Sequence, residues 1–296
     1  MRNVFINKLI SIAEVQNNIV LVVGDLGYSV VEPFAKRFPD RFFNAGVAEQ
    51  NMMGFSAGLA SEGFHVFVYS IANFPTFRCA EQIRNDVVYH NNAVTIVSVG
   101  GGLAYGNLGY SHHAVQDYAL LRSLPGMLIA SPGDPNEVNA CLSYLLQNPQ
   151  PSYLRIGKAG EPNIHKNIPS VNPGQWIEIL RGSNRKTLLC TGATMELALN
   201  WIKGSVKYAD YSLYSLPLWG MQYKHMQAVQ VMGWDSVVTV EDHLVDGGFG
   251  SWMLESLMNH PNLIGRVSIK ALDSIVCSMV GKQKTLNEAG GLVVKI

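Results

Sequence analysis

Along the chain, short runs of Val, Ile, Leu and aromatic residues alternate with longer stretches whose apolar positions recur every three to four residues. Strands buried on both faces of a parallel sheet give the first pattern, and amphipathic helices covering that sheet give the second. Strands are predicted at Ile19–Val23, His65–Tyr69, Ala93–Val99, Met127–Ala130 and Ser152–Ile156, with helices between them at about 29–37, 47–61, 76–90, 114–123 and 135–147. The N-terminal segment has apolar residues at 4, 5, 9, 10 and 13, interrupted by Asn3, Asn7, Lys8 and Glu14. It reads as an amphipathic helix and not as a signal peptide. Gly24, Gly100 to Gly102 and Pro132-Gly133 punctuate the strand ends, where open α/β sheets place their ligands.

The alternation lapses after Gly157. Pro162, Pro169 and Pro173 fall in a stretch with no clear periodicity, so 161–183 is expected to be a linker. The pattern then resumes with a strand at Thr187–Thr191, a helix at about 194–203, a strand at Ser236–Glu241, a helix at about 250–258 and a last strand near 264–269. The expected fold class is α/β: two domains, 1–160 and 184–296, each a mostly parallel sheet flanked by helices.

Charge narrows the range of functions. The formal net charge is zero, which leaves no electrostatic footprint for nucleic acid, and no apolar run approaches the length of a membrane span. Charged residues make up 15% of the chain, against roughly 25% in typical soluble proteins. So few charges suggest that surface is buried against a partner as well as in the core. Cys79, Cys141, Cys190 and Cys277 are widely spaced with no CxxC pair, which fits a reducing cytoplasmic compartment better than a disulfide framework or a zinc site.

Candidate chemistry gathers at the strand ends. Glu49 is a lone carboxylate in an otherwise apolar segment, at the turn from Phe42-Phe43 into the small-residue helix that follows. Either it is an exposed first-turn residue favoured by the helix dipole, or it is buried for a chemical purpose. Adjacent histidines, His112 and His113, lie in a glycine-rich loop after a strand, a setting more common for function than for packing. Phe74 and Phe77 are either core residues between strand and helix or a stacking platform.

Several segments together resemble the C-terminal half of transketolase, and its relatives 1-deoxyxylulose-5-phosphate synthase and the β subunits of 2-oxoacid dehydrogenases. All are thiamine-diphosphate enzymes. The segment FFNAGVAEQNMMGFSAGLA (42–60) is similar to the family's glutamate-bearing segment, which implies that Glu49 hydrogen-bonds N1′ of the cofactor's aminopyrimidine and drives proton loss from the thiazolium C2. VYSIANFPTF (68–77) resembles the aromatic segment packed on the pyrimidine, with Phe74 the first choice for stacking and Phe77 the second. GNLGYSHHAVQDYALLRSLPGMLIASPGDPNEV (106–138) resembles GEDGPTHQPIE…LRSLPN…PADxNE of transketolase and the THHG segment of the synthase, which makes His112 the active-site histidine and puts His113 beside the substrate. GDLGYS (24–29) is similar to ADLxxS, which would set Asp25 near the cofactor and Ser29 near the substrate channel. The resemblance further implies that Arg2, and Arg155 and Lys158 in SYLRIGK, receive a substrate phosphate. VVTVEDHLVDGGFGSWMLESL (237–257) resembles the VxVEExxxxGGxG segment of the family's C-terminal domain, a structural turn.

The family holds the cofactor's diphosphate through Mg²⁺ on a GDG motif followed by Asn, and no such motif occurs here. The resemblance therefore implies one chain of a split enzyme. It would carry the pyrimidine end of thiamine diphosphate, and an N-terminal transketolase-like subunit with GDG…N would supply the Mg²⁺ site, in a heterotetramer of two of each chain. The expected reaction is transfer of a two-carbon ketol unit between small sugar or sugar-phosphate substrates. Leu108 stands where transketolase has an acidic residue, and Gly100 to Gly102 where it has a histidine, so ordinary pentose-phosphate specificity is not implied. Two other readings are a decarboxylating subunit like the synthase or the dehydrogenase, and a non-catalytic assembly partner.

Overall fold

In the computed structural model, which describes residues 1–293, the apolar runs become strands of two sheets. In chain order these are β1 (Ile19–Val23), β2 (Phe42–Asn44), β3 (His65–Ile71), β4 (Val94–Val99), β5 (Leu128–Ala130), β6 (Ser152–Ile156), β7 (Ile177–Leu180), β8 (Lys186–Cys190), β9 (Ser212–Ser215), β10 (Leu218–Trp219), β11 (Ser236–Leu244) and β12 (Val267–Leu272). The first sheet has the order β10-β5-β6-β4-β3-β1-β2 and the second β12-β11-β8-β9-β7. All pairings are parallel except β10 with β5 and β7 with β9, each at a sheet edge. The two α/β sheets agree with the expected fold class.

Every residue of β1, β4, β5 and β6 is buried, because helices cover both faces of the first sheet. Strand alternation sorts the side chains. Val20, Val22, Val66 and Val68 pack with Met52, Met53 and Ala57 of the helix Glu49–Ser61. Leu21, Val23, Phe67 and Val97 face the other way, onto Phe5 and Leu9 of the helix Arg2–Ala13 and Val138 and Leu142 of the helix Pro135–Gln147. The first of these cores continues into the second unit. Trp219 of β10 lies 5.3 Å from Phe249 and 5.2 Å from Trp252 (ring centroids), and 5.1 Å from Tyr118 of the first unit. With β10 paired to β5 and this aromatic cluster shared, the two sheets form one packed body.

Several segments differ from expectation, and the short strands β2, β9 and β10 are not among the predicted ones. The stretch 76–90 is not one helix: it divides into Phe74–Phe77, Ala80–Gln82 and a wide π-type turn, Ile83–Val88. Thr76 Oγ1 donates to the Ala72 carbonyl (3.0 Å) and Cys79 Sγ to that of Pro75 (3.1 Å), competing with the helical ladder. Only Asp117–Leu121 of 114–123 is helical, since Ala114 is held in an antiparallel bridge to Gly102. In the stretch 161–183, expected to be a linker, Ile177–Leu180 form β7. The last strand starts at Val267, after a short helix, Pro261–Ile264. Among the described residues no helix is long and apolar enough to cross a membrane.

Candidate active site

β1, β3 and β4 are parallel neighbours, so their carboxyl ends open along one edge of the sheet. The loops that leave that edge carry most of the polar residues singled out above. Gly46, at φ +70°, turns the chain after β2, and the helix Glu49–Ser61 begins three residues later. This geometry takes Glu49 into the protein, where it is 5% exposed. A buried carboxylate needs a partner, and Oε1 accepts a hydrogen bond of 2.9 Å from Nη1 of Arg78, which is half exposed. The same guanidinium lies over the Phe74 ring, 4.3 Å from carbon to centroid. Phe74 in turn meets His112 edge to face, with centroids 5.1 Å apart. Glu49, Arg78, Phe74 and His112 thus form a continuous row. Phe77, at the end of the short helix that Phe74 opens, is 47% exposed.

The His112 loop is anchored through its backbone. Asn73 Nδ2 donates to the carbonyls of Ser111 (3.3 Å) and His113 (2.6 Å), tying the loop after β4 to the end of β3. Nδ1 of His112 lies 3.0 Å from Ser111 Oγ. Burial pushes the His112 pKa below its ordinary value, and His113 and Arg78 push it further down. The imidazole is therefore neutral at pH 7 and can take up a proton. His113 is 1% exposed and has its Nε2 3.4 Å from the Gly106 carbonyl. It is packed inside the loop.

Beyond His112 the row continues through Tyr105, whose ring centroid is 6.4 Å away and carries Lys158 Nζ at 4.7 Å on a face. Tyr105 also lines a small cavity with Arg2, Gly27, Tyr28, Tyr69 and Ser70, at the ends of β1, β3 and β4. Arg2 Nε, Tyr69 Oη and Ser70 Oγ are buried there without a protein partner. Gly100 makes room for Tyr105, because a Cβ at that position would collide with the ring. Tyr105 thus has Lys158 on its ring face and shares the cavity wall with Arg2.

Asp25 and Ser29 take left-handed backbone conformations, φ 55° and 64°, which cost non-glycine residues about 1–2 kcal/mol each. Neither side chain is buried. Asn44 Nδ2 donates to Asp25 Oδ1, and Asn44 Oδ1 accepts from the backbone N–H groups of Asp25 and Gly46, all at 3.0 Å. The Asp25 loop is in this way stapled to the turn that aims Glu49. The Ser29 N–H donates to Glu32 Oε1 at 2.8 Å, closing the turn into the next helix.

Arg155 departs from its expected role as a phosphate ligand. It is 3% exposed, and its donors are consumed within the chain. Nε reaches Asp117 Oδ2 (2.7 Å), Nη1 reaches Asp242 Oδ1 (2.6 Å) and Tyr118 Oη (3.2 Å), and Nη2 reaches the Ala114 carbonyl (2.8 Å). Asp117 belongs to the first unit and Asp242 to β11, so Arg155 is a strut between the sheets. Arg78, Tyr105 and Asn73 were not anticipated. The four-residue spacing of Phe74 and Arg78, at the start and just past the end of a short helix, was a usable signal for the first; nothing in the sequence marked the other two.

Two parallel α/β sheets, with a buried glutamate, a stacked phenylalanine and a histidine at the carboxyl edge of the first, define a class. Residues 1–160 match the family described as the transketolase pyrimidine-binding domain. The chain belongs to the transketolase family and corresponds to the C-terminal half of that enzyme. It is 33% identical over 88% of its length to one subunit of the apulose-4-phosphate transketolase of Phocaeicola vulgatus, covering 84% of that protein. It is 32% identical over 86% of its length to 1-deoxy-D-xylulose-5-phosphate synthase of Aquifex aeolicus, of which it covers 40%. Among solved structures it superposes on a split-gene transketolase described as an inactive beta4 tetramer, with a TM-score of 0.83, 29% identity and coverage of 99% of this chain and 93% of that one.

A transketolase pyrimidine-binding domain implies thiamine diphosphate. The donor set suits the pyrimidine end of that cofactor. Glu49 already accepts a hydrogen bond from a planar cationic group, and the face of Phe74 is already covered by one.

Proposed function

We propose that the chain is the C-terminal subunit of a thiamine-diphosphate-dependent, transketolase-like enzyme that moves a two-carbon ketol unit between sugar or sugar-phosphate substrates. The observation that carries this reading is Glu49, 5% exposed at a helix start, in one row with Phe74 and His112. When bound, thiamine diphosphate supplies the nucleophilic carbon and the electron sink for cleaving a ketose carbon–carbon bond. Glu49 holds a proton against N1′ of the aminopyrimidine, and Phe74 gives that ring a face to lie on. His112, neutral at pH 7, takes up or returns a proton at a substrate oxygen. Arg2 and Lys158 sit further along the same edge, where a substrate phosphate would find two cations. Asp25 contributes by bracing the turn that leads to Glu49, and Ser29 closes the loop beside Arg2.

The diphosphate and Mg²⁺ are assigned to a second chain carrying GDG…N, since no such motif occurs in this sequence. One relative named as a single subunit of a transketolase, and another described as a split-gene transketolase, support a division into two chains. The assembly proposed is two copies of each chain in the cytoplasm. Likeness to the synthase favours a second reading, a subunit that decarboxylates pyruvate. Carbon dioxide release from pyruvate separates the two, because ketol transfer releases none.

The direct test is Glu49→Ala in the assembled enzyme. Ketol transfer should fall by about 10²–10⁴-fold or more, the range for losing an acid–base group, while the two chains still co-elute. Full activity in that variant would overturn the reading.

A further inference from the structure

Arg78 makes, with this chain's own residues, the two contacts that an aminopyrimidine would need from them. Its guanidinium is planar, donates to Glu49 Oε1 at 2.9 Å and lies 4.3 Å over the centre of Phe74. A ring hydrogen-bonded to that carboxylate and stacked on that face would occupy the same space. We propose that Arg78 is a built-in plug, filling the aminopyrimidine position until thiamine diphosphate displaces it. The inference rests on the cofactor reading above and adds a competitor to it.

The surroundings suit a displaceable group. Arg78 is half exposed while Glu49 is buried, so the cation can leave into solvent and the carboxylate cannot. Arg78 follows the four-residue helix Phe74–Phe77, and the chain beyond it runs through a single helical turn into the wide turn Ile83–Val88, with no long helix holding it in place. While the cation stays, it compensates a buried carboxylate that would otherwise stand alone, and that compensation opposes cofactor entry. Once the cofactor is bound, Glu49 has its new partner and Arg78 returns to water. Removing Arg78 therefore destabilises the cofactor-free form and leaves the loaded form untouched.

The test is isothermal titration of thiamine diphosphate, with Mg²⁺, into the full chain assembled with its partner subunit, as wild type, Arg78→Ala and Arg78→Lys. The Arg78→Ala complex should bind thiamine diphosphate about three- to tenfold more tightly, as expected for loss of a half-exposed ion pair with one buried member. Its association rate should rise. Arg78→Lys, which keeps the charge without the planar fork, should fall between the two. Unchanged or weaker binding in Arg78→Ala, beside normal binding in the wild type, would overturn the plug and leave the cofactor reading standing. Absence of binding in the wild-type complex would overturn both. A variant that is merely destabilised cannot mimic the expected result, because partial unfolding weakens binding.

Discussion

Replacing Arg155 by alanine separates a strut from a substrate ligand. The side chain is 3% exposed and pairs at 2.7 Å with Asp117 and at 2.6 Å with Asp242. Burial alone would lower its pKa, but Asp117 and then Asp242 outweigh burial and drive it well above the ordinary value. Without the guanidinium, two buried carboxylates face the same void with no counter-charge. Removing one partner of a buried pair costs about 3–5 kcal/mol, and the loss of a shared partner puts this case near 5. With a urea m-value of about 3 kcal/mol/M, the unfolding midpoint should drop by roughly 1.5 M. Tryptophan emission can follow this transition, because Trp219 and Trp252 are fully buried in the core that joins the two sheets. Adding Asp242→Asn should recover part of the loss by neutralising one of the stranded carboxylates. A midpoint shift worth less than about 1 kcal/mol, together with a raised KM for a phosphorylated substrate, would refute the reasoning. Arg155 would then return to phosphate binding.

Two further outcomes follow from the same geometry. In the full chain free of cofactor, the Arg78→Ala substitution removes one of the positive groups that depress His112, so its titration should move up in pH. The His112 ring proton in an NMR pH series would report this, and an unmoved midpoint would contradict the placement of Arg78. Arg122 and then Lys224, against an opposing effect of burial, hold the Glu255 pKa down at about 2, below its ordinary 4.5. A carboxyl with a depressed folded-state pKa stabilises the fold fully above about 4.5 and loses that contribution as pH falls through 2. Glu255→Gln should therefore lower the urea midpoint at pH 7, with the difference from wild type fading toward pH 2. A deficit independent of pH would show that packing, and not the ion pairs, is at stake.

Much of the site could be located before any fold was known. Glu49 stood out as a carboxylate in an apolar turn, and His112 as one of two histidines in a glycine-rich loop. Both readings depend on local composition and on the ends of predictable strands, and local composition survives in one dimension. The partners of these residues were less legible. That Glu49 is compensated by Arg78 depends on the 2.9 Å meeting of residues 29 positions apart. His112 and His113 are neighbours in the sequence, yet the turn Tyr110–His112 places one ring in the row and the other inside the loop. Gly100 to Gly102 read as a strand end, and their further reason, room for Tyr105, Arg155 and Asp242, involves side chains from elsewhere in the chain.

The order of residues alone was enough for the strand–helix alternation, the two-unit plan and the position of the candidate carboxylate, because periodicity and turn chemistry act over a few residues. It could not assign the cations. Arg155, Arg78, Lys158 and Arg2 are four similar positive side chains in the sequence. Folding makes the first a buried strut, sets the second against Glu49, lays the third over the Tyr105 ring and leaves the last in the wall of the neighbouring cavity. The reason is physical. The role of a charge depends on its burial and on the groups facing it, and those belong to remote segments that meet only when the sheets have assembled.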